Sequence, residues 1–462
     1  MKKELNIYKK HSAMKWTKIA VFCSLITAIL HGQTEDSTYF TLDEAKIYAL
    51  EHHYKIKNAQ NDIEIARQQI IETRALGLPQ VNINGSFSNF INLPIQVVDA
   101  SFINPMAQEG ETISFRAGTE FSASGSLQAS QLLFNGSYFV GLQASNYFAK
   151  FQATAAQMTE EEVLFSVIQS YELVAVAQKN LAFADSIVTL TENLVSKQQN
   201  YYELGFIEKE DLDQLKYSLH SSKNTLTNAK VQLENTLSML KLSMGYPIEF
   251  PIHLSNSLED LVNYANGIQS SNDVYQNLNY QLLEKRVHLN ELDMKNNKMN
   301  YLPTLSAFFD QTYNAYRNKF DFFDDLPWFP QTVWGLQLNV PIFSGGQRYA
   351  RTSQAKIAWM KEQNNLEYLG ESLKLQEITF KNNLRCAQDK LELQKQNIEL
   401  AKTIYANSVI REKIGKGNSI LVTQKQQQLM VAQTQYVTTL IELFSAKLDL
   451  DKLYNNIIST KE

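Results

Sequence analysis

The sequence predicts a mainly helical protein with a β contribution, in which two long coiled-coil hairpins and four strands are arranged as two similar halves. Three observations lead to this fold class. Proline and glycine, the strongest helix breakers, are nearly absent from two very long stretches. The segments before those stretches alternate apolar and polar residues, as strands do. The order of the segments in the first half recurs in the second.

The prolines mark where long helices cannot be. None of the nine lies between Asn135 and Tyr246, and none follows Pro341. Glycine is almost as well confined in both stretches. Because an interior proline costs a helix about 3 kcal/mol, gaps of this length are what long helices require.

The two stretches are expected to fold as helical hairpins that turn at glycines. The first would span about 137–244 with its turn at Gly205, and the second about 348–455 with its turn at Gly415. Apolar residues in the arms step by three, four or seven, which is the spacing of a coiled-coil seam. An arm of about 67 residues would be about 100 Å long. We interpret these stripes as helix packing that builds a wall and carries no chemistry.

Four segments have the period of a strand. They are expected near 81–88, 115–130, 305–314 and 334–342. Their polar face is mostly Ser, Asn and Gln, which suits a barrel between lipid and a wet lumen, although strands of an ordinary sandwich are the alternative. Aromatic residues around the last loop suggest a membrane interface. These residues are Phe320, Phe322, Phe323, Trp328, Phe329 and Trp334.

The strand count predicts oligomerisation. Four strands cannot close a membrane barrel, because the smallest single-chain barrels have eight. Open edges in lipid would leave backbone N–H and C=O groups unpaired. If the segments are membrane strands, several copies must share one barrel, although the copy number does not follow.

The N-terminus is expected to be a signal peptide at 1–32. Six lysines precede or flank the start of an apolar run from Ile19 to Leu30, and about 12 residues are too few to span a bilayer as a helix. A short membrane anchor is the alternative. The rest divides into a first repeat at 33–246, a linker at 247–270 and a second repeat at 271–462. Each repeat would begin with a shorter helix, over about 41–75 and 273–299.

Sites for chemistry are missing from the sequence. It has no phosphate-binding glycine loop, no metal-ligand spacing and no nucleophile elbow, so we expect neither an enzyme nor a cofactor. His52 and His53 are adjacent, so their rings cannot face one metal from one helix face. Cys386, the one thiol left after signal removal, is expected to pack within a long helix. A formal charge of -5 offers no basic surface for nucleic acid.

The order and spacing of these features resemble the TolC family of outer-membrane efflux proteins, over about 39–454. The motifs that carry the resemblance are Thr41-Leu42-Asp43-Glu44-Ala45, Leu78-Pro79, Leu302-Pro303, Leu133-Phe134-Asn135-Gly136, Ile342-Phe343-Ser344-Gly345-Gly346 and the hairpin glycines. The resemblance implies a homotrimer. Each copy would give four strands to a twelve-stranded barrel and two hairpins to an α-helical tunnel in the periplasm.

By this resemblance the chain would be the outer-membrane exit duct of a tripartite efflux or type I secretion system. It would be a passive conduit for small molecules or secreted polypeptide, fed by a periplasmic adaptor and an inner-membrane pump of the RND or ABC type. Adaptor docking is expected at Leu204, Gly205, Ile414, Gly415 and Lys416. The alternatives are a secreted coiled-coil scaffold of the periplasm without channel activity and a periplasmic enzyme on a helical frame.

Family members often narrow the tunnel with acidic residues just after the hairpin glycine. Glu210, Asp211 and Asp213 are suitably positioned in the first repeat. The alternative role for these carboxylates is to complement the helix macrodipole. The second repeat has Leu421, Val422 and Gln424 at the corresponding positions. Closure of the tunnel by the second repeat would then be apolar or absent. Gln424 is the candidate gate residue in that repeat.

Overall fold

The computed structural model describes residues 38–102, 105–106, 108, 110–267 and 273–458. The predicted signal peptide and part of the predicted linker lie outside these residues. The described chain forms two compact units. The strand unit contains 58–158 and 275–373, and the helical unit contains the other described residues.

Long helices dominate, as the breaker positions predict. The described helices are α1 (Leu42–His52), α2 (Tyr54–Ala75), α3 (Gly136–Glu203), α4 (Lys209–Met244), α5 (Leu258–Ala265), α6 (Leu278–Met299), α7 (Gln347–Lys413) and α8 (Ser419–Leu453). The described strands are β1 (Thr38–Phe40), β2 (Gln80–Asn89), β3 (Ile95–Asp99), β4 (Thr112–Arg116), β5 (Phe121–Asn135), β6 (Ile252–Leu254), β7 (Thr304–Arg317) and β8 (Phe329–Asn339). The hairpins α3–α4 and α7–α8 agree with the predicted limits to within two residues.

The strand unit contains one antiparallel sheet in the order β2-β5-β7-β8. These are the four predicted strands, so the coarse prediction of long helices with four antiparallel strands is confirmed. Two of the predicted segments extended beyond their strands. Phe115 belongs to β4, which pairs with β3 in a separate hairpin, because the chain turns at Gly118 with φ of 110°. The last strand ends at Asn339, and Pro341 beyond it has no N–H to give to a ladder.

The helical unit is anchored by hydrogen bonds around a short parallel pair, β1–β6. The buried Tyr171 hydroxyl on α3 donates to the Phe40 carbonyl at 2.8 Å. Asn256, just after β6, accepts from the Leu42 N–H at 2.8 Å through its side chain. The predicted linker therefore contains ordered structure. Its helix α5 begins with a capping box in which Ser257 and Asp260 bond each other's backbone.

Four long helices form the core of the helical unit. The stripe predicted on α3 is buried at Val163, Val167, Tyr171 and Val174. Helix α3 is also long and apolar enough to cross a membrane by length and composition alone. Burial of its stripe explains that hydropathy as packing. Towards the hairpin ends the core consists of Ile187, Leu194, Leu215, Ala401, Tyr405, Val422 and Leu429.

Two glycines offer a matched test of backbone strain in the helical unit. Gly245 ends α4 with φ of 72°, and a Cβ there would lie 3.0 Å from the Cα of His53. Gly205 has φ of 76°, but its Cβ would meet nothing within 4 Å. We expect Gly205→Ala to lower the free energy of unfolding by about 1 kcal/mol through backbone strain. Gly245→Ala should cost about 1–3 kcal/mol more, because His53 must also move.

Thermal unfolding followed by circular dichroism at 222 nm would compare the two variants. Equal losses of stability would contradict the close packing of Gly245 against His53.

Candidate channel wall and hairpin tips

One face of the four-stranded sheet is polar. The register places one row of polar side chains across all four strands: Asn84, Ser126, Thr312 and Gln331. Within this face the Asn84 side-chain amide donates to the Gln128 carbonyl oxygen at 3.0 Å, and the Ser86 and Ser124 hydroxyls lie 2.8 Å apart. A wall of hydroxyl and amide groups can exchange hydrogen bonds with water, as the lining of an aqueous lumen does.

The opposite face is apolar and exposed. One row across the strands consists of Val81, Ala129, Phe309 and Trp334. In this chain Trp334 is 78% exposed and Ile83, on the same face, is 81% exposed. A continuous exposed apolar face indicates apolar surroundings, either lipid or protein. Gln311 and Thr332 interrupt this face, and they are hydrogen-bonded to each other.

Phe308 interrupts the polar face, as the sequence pattern indicated. It lies directly opposite Gly335 in the ladder between β7 and β8. A Cβ at Gly335 would lie 3.1 Å from the Phe308 ring. The Phe308 ring therefore covers the backbone of Gly335. A larger residue at this position of β8 would crowd the ring.

The loop between β7 and β8 folds back onto the apolar face. Phe320 and Phe322 pack against Phe87 of β2, with ring centroids 5.9 and 5.5 Å apart, and Phe320 also contacts Phe121 of β5 at 6.1 Å. The aromatic residues expected at this loop thus do form a cluster. Phe329 is different, because the register puts it in the polar face beside Asn314.

A buried arginine holds this loop. Arg317, the last residue of β7, is 8% exposed. Its guanidinium donates to the carbonyls of Tyr316 and Pro327 at 3.0 Å each. It also forms an ion pair with Asp321 at 3.4 Å. The arginine had no periodic signal in the sequence, and only the loop geometry identifies its role.

The two hairpin turns have the same backbone geometry. Gly205 and Gly415 adopt φ of 76° and 73°. In each turn the glycine N–H donates to the carbonyl three residues earlier, and the next N–H, of Phe206 or Lys416, donates to the carbonyl five residues earlier, at 2.8–3.0 Å. This pair of bonds is the Schellman motif, which requires a left-handed residue and therefore favours glycine. The hairpin glycines predicted from the sequence do form the turns.

The residues expected to dock an adaptor are all exposed at these turns. They are Leu204, Gly205, Ile414, Gly415 and Lys416. Leu204 is 68% exposed and Ile414 is 60% exposed.

The gate candidates begin the returning helices. Glu210 and Asp211 lie in the first turn of α4, and Asp213 follows one residue after that turn. Glu210, Asp213 and Gln424 are exposed, and Asp211 is half-buried. The two returning helices begin 210 residues apart, at Lys209 and Ser419, so Val422 matches Leu212 and not Asp211 as expected, and it is fully buried in the helical core. Apolar closure of the second half therefore cannot use Val422.

Polar side chains also join the two hairpins near the turns. Glu412 on α7 is 8% exposed, and its carboxylate accepts from the Lys197 ammonium and the Gln198 amide on α3. Thr191 on α3 is bonded to Gln426 on α8 in the same interior. No sequence pattern pairs residues more than 200 positions apart, so these contacts escaped the sequence analysis.

Comparison with known proteins indicates an efflux channel. Residues 283–456 match the sequence profile of the family described as outer membrane efflux protein. The matched segment is a little over a third of the chain and contains β7, β8, α7 and α8. A search among curated proteins finds no significant match.

Solved channels share the fold over nearly the whole chain. VceC from Vibrio cholerae is 13% identical, with a TM-score of 0.67, and the match covers 89% of this chain and 96% of VceC. CmeC from Campylobacter jejuni is 16% identical, with a TM-score of 0.69 and 91% and 87% coverage. MtrE from Neisseria gonorrhoeae, solved in an open state, is 14% identical, with a TM-score of 0.66 and 89% and 88% coverage.

The efflux protein is a channel of the outer membrane and not an enzyme. In the described part of the chain no three His, Cys, Asp or Glu residues are grouped to hold a metal. His52 stacks on Tyr48 with ring centroids 4.1 Å apart, and His53 accepts the Lys55 N–H at 3.1 Å. The expectation that Cys386 packs was wrong, because its side chain points outward and is exposed.

A buried ionic cluster lies where α1, α3, α5 and α8 of the efflux protein meet. Lys447 donates to both oxygens of Asp451, at 2.5 and 2.7 Å. Glu172 on α3 is 5% exposed beside this pair. Burial, with a smaller contribution from Asp451, raises the pKa of Glu172 to about 8, while Lys447 opposes the shift. The remaining ionisable neighbours are Lys46 on α1 and Tyr264 on α5.

The raised pKa makes stability depend on pH. A carboxyl whose pKa is higher in the folded than in the unfolded chain stabilises most below the unfolded pKa, and this stability is lost as pH rises through the folded pKa. For Glu172 the window runs from 4.5 to about 8. Between these pH values we expect the free energy of unfolding of Glu172→Gln to rise relative to that of the parent chain as pH rises. The difference should grow by at most about 1.4 kcal/mol per pH unit.

Unfolding of the two proteins at several pH values would measure this difference. Asp185→Asn, which removes an exposed carboxylate from the same helix, is the matched control. A constant difference for Glu172→Gln would mean that Glu172 is ionised across the whole window.

Proposed function

We propose that three copies of this efflux protein share one barrel and form the exit duct of a pump assembly. The observation that carries the proposal is the four-stranded sheet with one polar and one apolar face. Its outer strands β2 and β8 pair with no further strand among the described residues. In lipid such edges must be paired, so β8 of one copy would pair with β2 of the next.

The hairpins would form the periplasmic tunnel. Helix α3 has 68 residues and α7 has 67. At 1.5 Å per residue each rises about 100 Å. The polar face of the sheet would line the bore, so the duct would conduct passively. An inner-membrane pump of the RND or ABC type would supply small molecules or secreted polypeptide, and an adaptor would dock at the exposed turns around Gly205 and Gly415.

Native mass of the detergent-extracted protein tests the shared barrel, with the mature N-terminus sequenced from the same sample. We expect three copies per particle and a chain that begins near residue 33. The same particles should form ion-conducting pores in a planar bilayer.

A monomer or dimer recovered from the soluble fraction would reject the duct and favour the coiled-coil scaffold. A trimer that forms no pores would keep the shared assembly and reject the open bore.

We further propose that Asp211 and Asp213 narrow the bore near the first hairpin turn. Three copies would bring six of these carboxylates to one level, and a ring of carboxylates favours cations and restricts flow. Asp211→Asn with Asp213→Asn should raise the resting single-channel conductance about twofold or more and reduce cation selectivity. Gln424→Asp adds a carboxylate in the second half and should act in the opposite direction.

Selectivity separates gating from a purely structural role of the carboxylates. If the Asn variant loses stability but keeps the parent conductance and ion preference, the carboxylates serve only the helix macrodipole.

A further inference from the structure

The polar face of the four-stranded sheet has one charged side chain within the described strands. Strands β2, β5, β7 and β8 are described throughout, and they contain two charged residues, Asp310 and Arg317, both on β7. Arg317 belongs by register to the apolar face, where it is buried and paired with Asp321. Asp310 shares the polar face with Thr312. The sheet therefore presents a lone carboxylate among hydroxyl and amide groups.

Uncharged neighbours hold Asp310 in place. Its carboxylate accepts from the Thr312 hydroxyl at 2.5 Å. Gln128 lies directly opposite on β5 and contacts the same carboxylate through its side-chain amide. The carbonyl oxygen of that amide accepts from Asn84 on β2 at 3.0 Å. Because these partners are neutral, they orient the carboxylate without cancelling its charge.

The loops at one end of the sheet have an excess of charge of the same sign. Segment 90–120 joins β2 to β5, and segment 318–328 joins β7 to β8. They contain four and three carboxylates, against one basic residue each. Since β2 and β7 are both antiparallel to β5, the two segments leave the sheet at the same end. An ion that moves along the polar face would meet negative charge within the sheet and again beyond it.

The carboxylate of Asp310 would act across the whole width of the proposed bore. A ring of three four-stranded sheets, with strands about 4.8 Å apart and tilted by about 40°, has a backbone radius of about 12 Å. The field of a charge in water is screened over about 10 Å at 0.1 M ionic strength and over about 30 Å at 0.01 M. Three carboxylates at one level, one from each copy, would therefore influence every ion in the bore at low salt.

We propose that Asp310 determines the ion preference of the barrel lumen. Its carboxylate enriches small cations and depletes anions at the level of the strand row Asn82, Gln128, Asp310 and Val333. The inference rests on the proposed function, since it assigns an ion preference to the same bore. The preference weakens as salt is added, because mobile ions screen the carboxylates. The residues of the hairpin turns have no part in it.

Reaction rates of a single thiol measure this preference inside the lumen. Cys23→Ser and Cys386→Ser first remove the native thiols, and Ser126→Cys then places one thiol on the polar face of β5. The probes are a trimethylammonium and a sulfonate methanethiosulfonate of similar size, added to the full chain in nanodiscs. Effects on the reactivity of the thiol itself cancel in the ratio of the cationic to the anionic rate.

We expect Asp310→Asn to lower this ratio by about threefold or more at 0.01 M ionic strength, because the carboxylates then no longer attract the cationic probe. At 1 M the ratio should be nearly the same with and without the substitution. Asp310→Glu keeps the charge on a longer side chain and should keep the parent ratio. Ala129→Cys, on the apolar face of the same strand, is the control thiol, and its reaction should not respond to Asp310→Asn.

The outcomes separate this inference from the proposed function. A reactive thiol at position 126 whose rate ratio ignores Asp310→Asn would overturn the inference and leave the duct standing. The same holds if Asp310→Glu lowers the ratio as much, or if the loss persists at 1 M, because shape and not charge would then be responsible. A thiol at position 126 that reacts with neither probe would show that water does not line this face, which rejects the wet bore together with the inference.

Discussion

Unpaired backbone groups at two sheet edges are the constraint on which the rest of this architecture depends. In hydrocarbon a free N–H or C=O costs several kcal/mol, so β2 and β8 cannot remain open. The two edges belong to different strands, so β8 of one copy would pair with β2 of the next. Such a head-to-tail contact can close into a ring. In the proposed assembly, oligomerisation is thereby a requirement of folding in the membrane, and the ring would enclose the polar face as a bore.

The sheet also fixes where the hairpins begin. Strand β5 passes into α3 without a loop, at Gly136. A Cβ there would lie 2.7 Å from the Leu302 side chain and 3.3 Å from the Met299 carbonyl oxygen, so glycine lets this junction pack closely. The Asn135 side chain accepts the Tyr138 N–H at 3.1 Å and caps the new helix. The second half uses Gly345 and Gly346, both with positive φ, before α7. Strand register therefore determines how each hairpin leaves the sheet.

The sequence was sufficient for features that depend on local pattern, because proline gaps, alternation and turn glycines act within a few residues. It was insufficient where distant residues decide. No proline or glycine marks the break between α1 and α2 at His53. The backbone of Gly245 approaches closely at this break. Strand β6 exists because it pairs with β1, more than 200 residues away. Helix α5 could have been predicted, since Ser257 and Asp260 have capping-box spacing. The groove between α3 and α7 depends on packing between the hairpins and had no sequence signal.

The two returning helices differ in how their first turns are satisfied, and this difference bears on the gate. Asn418 caps α8 by accepting the Leu421 N–H at 2.9 Å, whereas Glu208 makes no side-chain capping bond at α4. Because α4 lacks a capping side chain, carboxylates near its N-terminus stabilise it more. Glu210 and Asp211 lie within its first turn. The macrodipole effect falls off beyond that turn, so it does not account for Asp213. Asp213 is therefore the carboxylate for which the proposed bore offers the better explanation.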